Sequence, residues 1–425
     1  MTADLDRIWR DEWGRLLALL VGQFRRLDLA EDALADAFEA ATRTWPRDGI
    51  PANPAAWLLT AARRRAIDRI RAEAVAARKE PLLVVDARIQ EEAQRAMADA
   101  GDSPAALADE RLRLVFLCAH PALAPEAAAA LTLRLVLGVS TADLARLFLV
   151  AEPTMAARLT RARKKLALAG VPFALPTPER VAERIDVVAT VAYLAFTAGY
   201  APGSGPDVVR AELAGEAIRL TRLLRQLLQG YAAQPPAAGA LLDALLALML
   251  LQHSRRDARV DAAGLLVLLP DQDRARWHHN EIAEALDLLG RLTDGSVTLD
   301  ARATEFLLQA LIAAEHARAA SAAATDWPRI ATLYAALERL APSPAVRLAR
   351  AVAVAEAEGA EVGLSLLEGL AAGLPRSHRL PAIRAELLMR AGRNDEARAA
   401  YDLAISLCAN DAERAHLTAR RAVLA

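Results

Sequence analysis

A group of cationic and hydroxyl side chains recurs at helical spacing in residues 152–168. The group is Thr154, Arg158, Arg161 and Lys165, spaced i, i+4, i+7 and i+11, with Ala157 and Lys164 beside them. On a helix this spacing places them along one flank. Arg and Lys neutralise phosphates and release counterions, and Thr and Arg in the first half can reach base edges in the major groove. The pattern therefore predicts a nucleic-acid-binding helix face.

A second face of the same helix must hold this flank in position. Four apolar residues repeat at the same spacing on the neighbouring face: Met155, Leu159, Ala162 and Leu166. Pro153 suits the first position of the helix. The face can pack on Leu144, Leu147 and Phe148 of a preceding helix, across a tight turn at 149–151. Two short helices with a basic outer face predict a helix-turn-helix. The alternative is a solvated helix end, where cations favour the C-terminal dipole.

Residues 1–75 contain three further features in a fixed order. Residues 28–45 carry five acids and no base before Arg43, a Pro/Gly-rich loop follows, and residues 61–79 are strongly basic. Each feature alone is weak, since charge runs are usually solvated faces. An acidic helix, a loop and a basic helix, followed by a linker and a helix-turn-helix, form a specific combination.

Composition limits the class of protein. The 425 residues are rich in Ala and Leu and only 4% aromatic, which favours an all-α fold of several domains. A net charge of −1 restricts any nucleic-acid site to local patches. The two cysteines lie far apart, which fits a reducing cytoplasm. No signal-peptide pattern is seen, and the longest apolar stretches are too short for a bilayer, so we expect buried core helices and no membrane contact.

Pro/Gly-rich breaks divide the chain into predicted segments. These are 1–75, a linker at 76–108, a helix-turn-helix unit at 109–168, a Pro-rich linker at 169–180, a helical extension at 181–290, and helical repeats at 300–425.

The last segment contains a degenerate repeat of 33 to 34 residues. Its best copy has Gly392, Ala397, Tyr401 and Ala404 at the positions of a tetratricopeptide (TPR) second helix. Earlier copies place Gly359, Leu364 and Ala371, and then Thr325, Ile330, Tyr334 and Leu337, at matching offsets. Glu368 occupies the aromatic position of the middle copy, which is a mismatch. The period predicts a TPR-like array, which usually binds proteins, although alanine-rich hairpins can imitate it.

The whole arrangement resembles the sigma-70 family, in particular its extracytoplasmic-function (ECF) type. DLAEDALADAF (28–38) is similar to region 2.2, NPAAWLLTAARRRAIDRIR (53–71) to regions 2.3 and 2.4, and residues 120–166 to region 4. Residues 248–277 and 343–359 resemble the subgroup with a long TPR-like extension. That subgroup tends to have Phe-Asn-Glu-Gly-Tyr where this chain has Phe-Thr-Ala-Gly-Tyr (196–200), so the chain lacks the Asn-Glu pair at this position.

The resemblance implies three binding surfaces. Residues expected to bind core RNA polymerase are Asp28, Glu31, Asp32 and Asp36. Residues expected at the promoter minus-ten element, with Trp57 and loop 48–56 holding a flipped base, are Asn53, Trp57, Arg63, Arg64, Arg65 and Arg69. Residues expected at the minus-thirty-five element are Thr154, Ala157, Arg158, Arg161, Lys164 and Lys165. The function implied is an alternative sigma factor, with an extension that regulates it by protein contact.

The rival hypotheses are a one-component helix-turn-helix regulator with a helical sensor and a TPR scaffold. We expect no enzyme activity, cofactor or metal. Cys118 and His120 supply too few ligands for a tetrahedral site. His278–His279 has the same weakness, and Asp271 and Asp273 lack the rest of a calcium loop.

Overall fold

A computed structural model describes residues 2–76, 104–148, 150–200, 211–229, 236–261, 266–374 and 377–424. This part of the chain contains 18 α-helices, five short 3-10 helices and, between Val260 and Leu266, one isolated β-bridge. The all-α prediction is confirmed. Most of the linker predicted at 76–108 lies outside the described residues, although a helix already begins at Pro104. Of the predicted 149–151 turn, residue 149 is also outside them.

The helices follow one another with short connections. The first eight are α1 (Thr2–Phe24), α2 (Leu27–Asp48), α3 (Pro54–Ala76), α4 (Pro104–Cys118), α5 (Pro125–Val136), α6 (Thr141–Leu147), α7 (Glu152–Leu168) and α8 (Pro178–Tyr200). The other ten are α9 (Ala211–Gln229), α10 (Pro236–His253), α11 (His279–Thr293), α12 (Ala301–Arg318), α13 (Trp327–Leu340), α14 (Pro344–Glu358), α15 (Ala360–Leu366), α16 (Arg379–Arg390), α17 (Asn394–Leu407) and α18 (Asp411–Ala422).

The chain forms two compact units. Unit 1 consists of Met1–Leu194 and Arg222–Pro235, and unit 2 of Ala195–Thr221 and Pro236–Ala425. In unit 1, α1 contacts α2, α3, α4 and α5. The two predicted binding regions of the N-terminal half therefore share one folded body.

The core of unit 1 is centred on a pair of stacked indole rings. The rings of Trp9 and Trp13 lie 4.1 Å apart, and Phe38 of α2 packs edge-on against Trp9. Trp13 is fully buried. Gly14 of α1 lies against the backbone of Val136 at the end of α5. A Cβ added at Gly14 would lie 2.0 Å from the carbonyl oxygen of Val136, so no side chain fits there. Glycine thus lets α1 and α5 approach backbone to backbone.

Unit 2 is built around α10, whose leucines are buried on every side. A window from Ala237 to Ala258 is long and apolar enough to cross a membrane by composition alone, but 78% of it is buried. The helix packs on α11 and α12. A helix that is hydrophobic all round and enclosed by other helices is a core helix, as the sequence predicted.

From α12 to α18 each helix contacts the next one in the chain. The residues at the predicted repeat positions in α17, Ala397, Tyr401 and Ala404, are buried. In the middle copy, the second helix ends at Leu366, and Gly369 follows with a φ of 76°. The mismatched Glu368 therefore lies beyond the helix and is exposed, so the mismatch leaves no charge in a core.

His316 gives unit 2 a defined pH response. Burial, together with the positive charges of Arg255 and Arg274, lowers the pKa of His316 from 6.5 to about 4. The unfolded chain binds a proton on His316 more tightly than the folded chain does. The contribution of His316 to the free energy of unfolding is therefore fully present above pH 6.5, and it is lost as the pH drops towards 4. We expect a loss of up to about 3 kcal/mol from this group. Urea unfolding between pH 4 and 7.5 measures this change. The free energies of unfolding of the wild type and of His316→Gln should converge at the acid end of that range.

Candidate nucleic-acid and polymerase interface

Helix α7 presents the cationic flank that the sequence predicted. Ala151 precedes it in an extended conformation, Pro153 occupies its first turn, and Met155, Leu159, Ala162 and Leu166 are its buried residues. Thr154, Ala157, Arg161, Lys164 and Lys165 are exposed, and Arg158 is half-buried. The predicted buried face is confirmed. All six predicted minus-thirty-five residues keep some contact with solvent.

A shallow cavity of about 260 Å³ lies between α7 and the start of α5. Arg158, Arg161 and Lys165 line it on the α7 side, and Ala124 and Glu126 line it at α5. Arg161 donates a hydrogen bond to the backbone oxygen of Ala157 (3.2 Å), which holds its guanidinium along the helix. The three cations thus border one concave surface that an anionic backbone can enter.

The predicted minus-ten residues divide into two groups. Arg64 and Arg65 are exposed on α3, whereas Arg63 is only 8% exposed. Its burial lowers the pKa of the Arg63 guanidinium, and its Nε and Nη1 find no acceptor among the described residues. Arg69 pairs with Asp32 (2.8 Å) and Asp36 (3.0 Å) of α2. Of these four arginines, only Arg64 and Arg65 are therefore exposed, and their contact with a DNA strand stays a prediction.

Trp57 lies beside a cavity of about 390 Å³ on α3. Ala56, Thr60 and Arg64 line the same cavity. The Trp45 ring contacts Trp57 edge-on at 5.5 Å, which fixes the indole orientation. An aromatic face beside a guanidinium is the combination that stacks a base and holds its phosphate.

Asn53 acts as the N-cap of α3. Its Oδ1 accepts a hydrogen bond from the backbone N–H of Ala56 at 3.0 Å. We expect Asn53→Ala to destabilise the protein by about 1 kcal/mol, because a backbone donor loses its acceptor. Urea denaturation would measure the change. Asn53→Asp keeps the cap and should retain most of the stability; equal losses in both variants would contradict a capping role.

The predicted polymerase-binding acids do not share one surface. Asp28 and Asp32 are exposed and Asp36 is half-buried, and each pairs with an arginine of α3 or of the α1–α2 turn. Glu31 is only 6% exposed. Its carboxylate pairs with Arg134 of α5 at 3.0 Å and with Arg163 of α7 at 2.6 Å. Glu31 therefore joins α2 to the helix-turn-helix.

Further contacts fasten the same two regions together. Trp9 Nε1 donates to the backbone oxygen of Gly138 at 2.7 Å, and Arg134 lies 5.2 Å from the centroid of the Trp13 ring. Arg25, which has a positive φ of 55°, donates to the backbone oxygen of Phe173 at 2.8 Å. No sequence pattern pointed to these residues. The available signal was Arg134, the one basic residue of α5, in the otherwise apolar second half of that helix.

Comparison with known proteins identifies these two regions. Residues 11–75 match "Sigma-70 region 2" and residues 113–166 match "Sigma-70, region 4". Sigma-70 region 2 and region 4 domains support a sigma-70 family factor. The region 2 match covers the later part of α1, all of α2 and nearly all of α3. The region 4 match covers the end of α4, all of α5 and α6 and nearly all of α7. The two regions support a sigma factor role in promoter recognition and transcription initiation, and they imply binding to core RNA polymerase and promoter DNA.

The other comparisons give matches without an assigned role. Residues 184–293 match a family of unknown function, DUF6596. An uncharacterised protein of Rhizobium meliloti (strain 1021) is 44% identical over 404 residues, which cover 94% of this chain and 91% of the relative. No solved structure gave a significant match.

One group of potential metal ligands occurs among the described residues. Atoms of His378, Cys408 and Glu413 lie within 4.8 Å of one another. Glu413 already accepts from His378 at 2.8 Å, and Arg259 and Arg379 act on the same carboxylate. An ion pair surrounded by arginines accounts for this group without a metal. The two cysteines are buried, and burial raises the pKa of both thiols.

Proposed function

We propose that this sigma-70 protein is an ECF-type alternative sigma factor of the cytoplasm that recognises minus-ten and minus-thirty-five promoter elements. The observation that supports this most directly is the pairing of two exposed cationic surfaces, on α3 and α7, with the region 2 and region 4 matches. The proposed role is binding rather than catalysis. Sigma factor families are not enzymes, and the surfaces described above suit DNA and protein contacts.

At the minus-ten element, the cavity beside Trp57 receives an extruded base. Removing a base from the stack costs a few kcal/mol, and stacking on an aromatic ring returns about 1–3 kcal/mol. Arg64 and Arg65 neutralise the adjoining phosphates. Asn53 supports the site through its cap on α3.

At the minus-thirty-five element, α7 enters the major groove with its N-terminal half. Thr154 and Arg158 reach base edges, whereas Lys164 and Lys165 lie further along the helix and neutralise phosphates. Such a division is usual, since phosphate contacts position a protein and base contacts specify the sequence.

In vitro transcription with bacterial core RNA polymerase, on DNA from upstream of this protein's own operon, tests the proposal. We expect full-length protein to give a specific transcript and Asp32→Arg/Asp36→Arg to lose it, because the reversed charges repel a cationic polymerase surface. Polymerase binding is measured separately.

Arg69→Ala is the matched control for that binding measurement. It breaks the same ion pairs of α2 but leaves both carboxylates in place. If Arg69→Ala lost polymerase binding as fully as the reversed pair, the effect would be one of folding, and the proposed contact would be wrong. Operator binding without polymerase would instead favour the one-component regulator.

The extension regulates this activity by protein contact through its TPR-like helix pairs. Support comes from the sequential packing of α12 to α18 and the burial of Ala397, Tyr401 and Ala404. A shortened chain ending at residue 175 should differ from full length in promoter activity or its control. Identical behaviour would contradict this part of the proposal.

A further inference from the structure

Unit 2 contains arginines and aromatic rings that alternate in space. We name this the arginine–aromatic cluster. It consists of Tyr200, Arg255, Arg259, Arg274, Trp277 and His316. The Arg259 guanidinium lies 4.1 Å from the centroid of the Tyr200 ring. The guanidinium groups of Arg255 and Arg274 both lie over Trp277, at 5.9 and 4.5 Å from its centroid.

The hydrogen-bond acceptors of these arginines are all uncharged. Arg255 donates to the Tyr200 hydroxyl (2.7 Å) and to Gln252 (2.6 Å). Arg259 donates to the backbone oxygen of Tyr200. Arg274 donates to two more backbone oxygens, at residues 316 and 319. Within the described part of the chain, none of the three has a carboxylate at ion-pair distance.

Neighbouring cations in the same segment do have carboxylate partners, so the lack of such partners is confined to the cluster. Arg256, next in sequence to Arg255, pairs with Glu281 at 2.9 Å. His278 pairs with Asp257 at 2.7 Å. Glu413 does act on Arg259, but it is already engaged by His378, and Arg379 adds a further positive charge there. The cluster thus keeps an excess of positive charge.

The cluster also holds buried donors that lack acceptors. Arg274 Nη2 and Trp277 Nε1 are buried with no hydrogen-bond partner in the described chain, and Trp277 is only 4% exposed. Burial lowers the pKa of Arg259 and of Arg274. A buried donor without an acceptor destabilises the folded state. Stacking on aromatic rings explains the arginine orientations, but it does not satisfy these donors.

We propose that the arginine–aromatic cluster binds a small phosphate-bearing anion with at least two negative charges. Its oxygens accept hydrogen bonds from Arg255, Arg259 and Arg274, whose forked donors suit phosphate bidentately. The three side chains are half-buried, so the ligand reaches them from solvent. The site lies wholly in unit 2. It would give the extension a small-molecule input, and it does not depend on the role proposed for regions 2 and 4.

Isothermal titration of the full-length protein with pyrophosphate, phosphate and citrate, at ionic strength matched with sodium chloride, tests the proposal. We expect saturable binding of pyrophosphate with a rise in melting temperature, since a ligand that binds the native state stabilises it. Tighter binding of citrate than pyrophosphate would overturn the phosphate assignment and identify a polycarboxylate. No saturable binding of any probe would overturn the site.

Two variants locate the contact. Arg255→Gln/Arg259→Gln should weaken the affinity for pyrophosphate at least tenfold. Arg276 is an exposed neighbour that donates a 3.5 Å hydrogen bond to the backbone oxygen of Val260. Arg276→Gln should leave pyrophosphate binding unchanged. Arg255→Lys/Arg259→Lys keeps the charge but loses the forked geometry, and should also weaken binding. Equal affinity in all variants would contradict the proposal.

Hydrogen exchange on the wild-type protein provides a test that needs no variant. Pyrophosphate should protect peptides that cover 252–260 and 272–278. The cations of α7 could also attract an anion, so peptides covering 152–168 are monitored in the same experiment. Protection confined to 152–168 would assign the anion to the DNA-binding surface and overturn the cluster as a site.

Discussion

Replacing Glu31 with alanine is expected to destabilise unit 1 by about 3 kcal/mol, because two enclosed arginines then lose their counter-charge. The Glu31 side chain is 8% exposed, and those of Arg134 and Arg163 are 15% and 27% exposed. Burial at this level leaves little water to replace the carboxylate. Urea denaturation of the full-length protein, followed by tryptophan fluorescence, measures the change, since Trp9 and Trp13 lie at the same interface.

Glu39→Ala is the matched control on the same helix. Glu39 pairs with Arg43, but its side chain is 65% exposed, and such surface pairs contribute about 0.3–0.5 kcal/mol. A double-mutant cycle with Arg163→Ala should give a coupling energy above about 1 kcal/mol. A loss for Glu31→Ala no greater than that for Glu39→Ala would show that the buried ion pairs do not hold region 2 to region 4.

The double substitution Arg158→Ala/Arg161→Ala is expected to reduce affinity for a minus-thirty-five duplex at least about 30-fold, since each specific arginine contact is worth about 1–3 kcal/mol. The loss should come without unfolding. Among the described residues, Arg161 bonds only to its own helix, at Ala157, and Arg158 lies at the rim of a shallow cavity. Fluorescence anisotropy with the protein bound to core RNA polymerase, at several salt concentrations, measures the effect.

The salt dependence separates the two kinds of contact. Each phosphate contact that is lost should reduce the slope of log K against log salt by about 0.9, whereas a lost base contact lowers affinity for the promoter alone. Arg318→Ala/Arg421→Ala is the control, because it removes the same charge from unit 2. If this control lost as much affinity, the cause would be net charge, and the assignment of α7 to DNA would fail.

Local patterns in the sequence predicted the helices and the faces of α7. Met155, Leu159, Ala162 and Leu166 recur at helical spacing, and a period of this kind decides which side of a helix is buried wherever one neighbour covers it. The base site at Trp57 stays a prediction, although Trp57 and Arg64, at helical spacing in sequence, do line one cavity.

Side-chain partners distant in sequence could not be predicted. Glu31 reads as one acid among several on α2, and only the packing of α5 and α7 distinguishes it from Asp32. Arg63 reads as one of three consecutive arginines, but it lies between Ala62 and Ala66 on the buried side of α3. The arginine–aromatic cluster joins residues 200, 255, 274 and 316, which no single helical period connects.

The contacts that close unit 1 also set the order in which it can fold during synthesis. Glu31 and Arg134 are 103 residues apart, and Arg25 and Phe173 are 148 apart. At about 5–20 residues per second, a ribosome needs about 7–30 s to extend the chain from Arg25 to Phe173. Helices α1 to α3 therefore emerge before their region 4 counterpart exists. In that interval Glu31 has neither of its arginine partners, whereas Asp32 and Asp36 can already pair with Arg69 of α3.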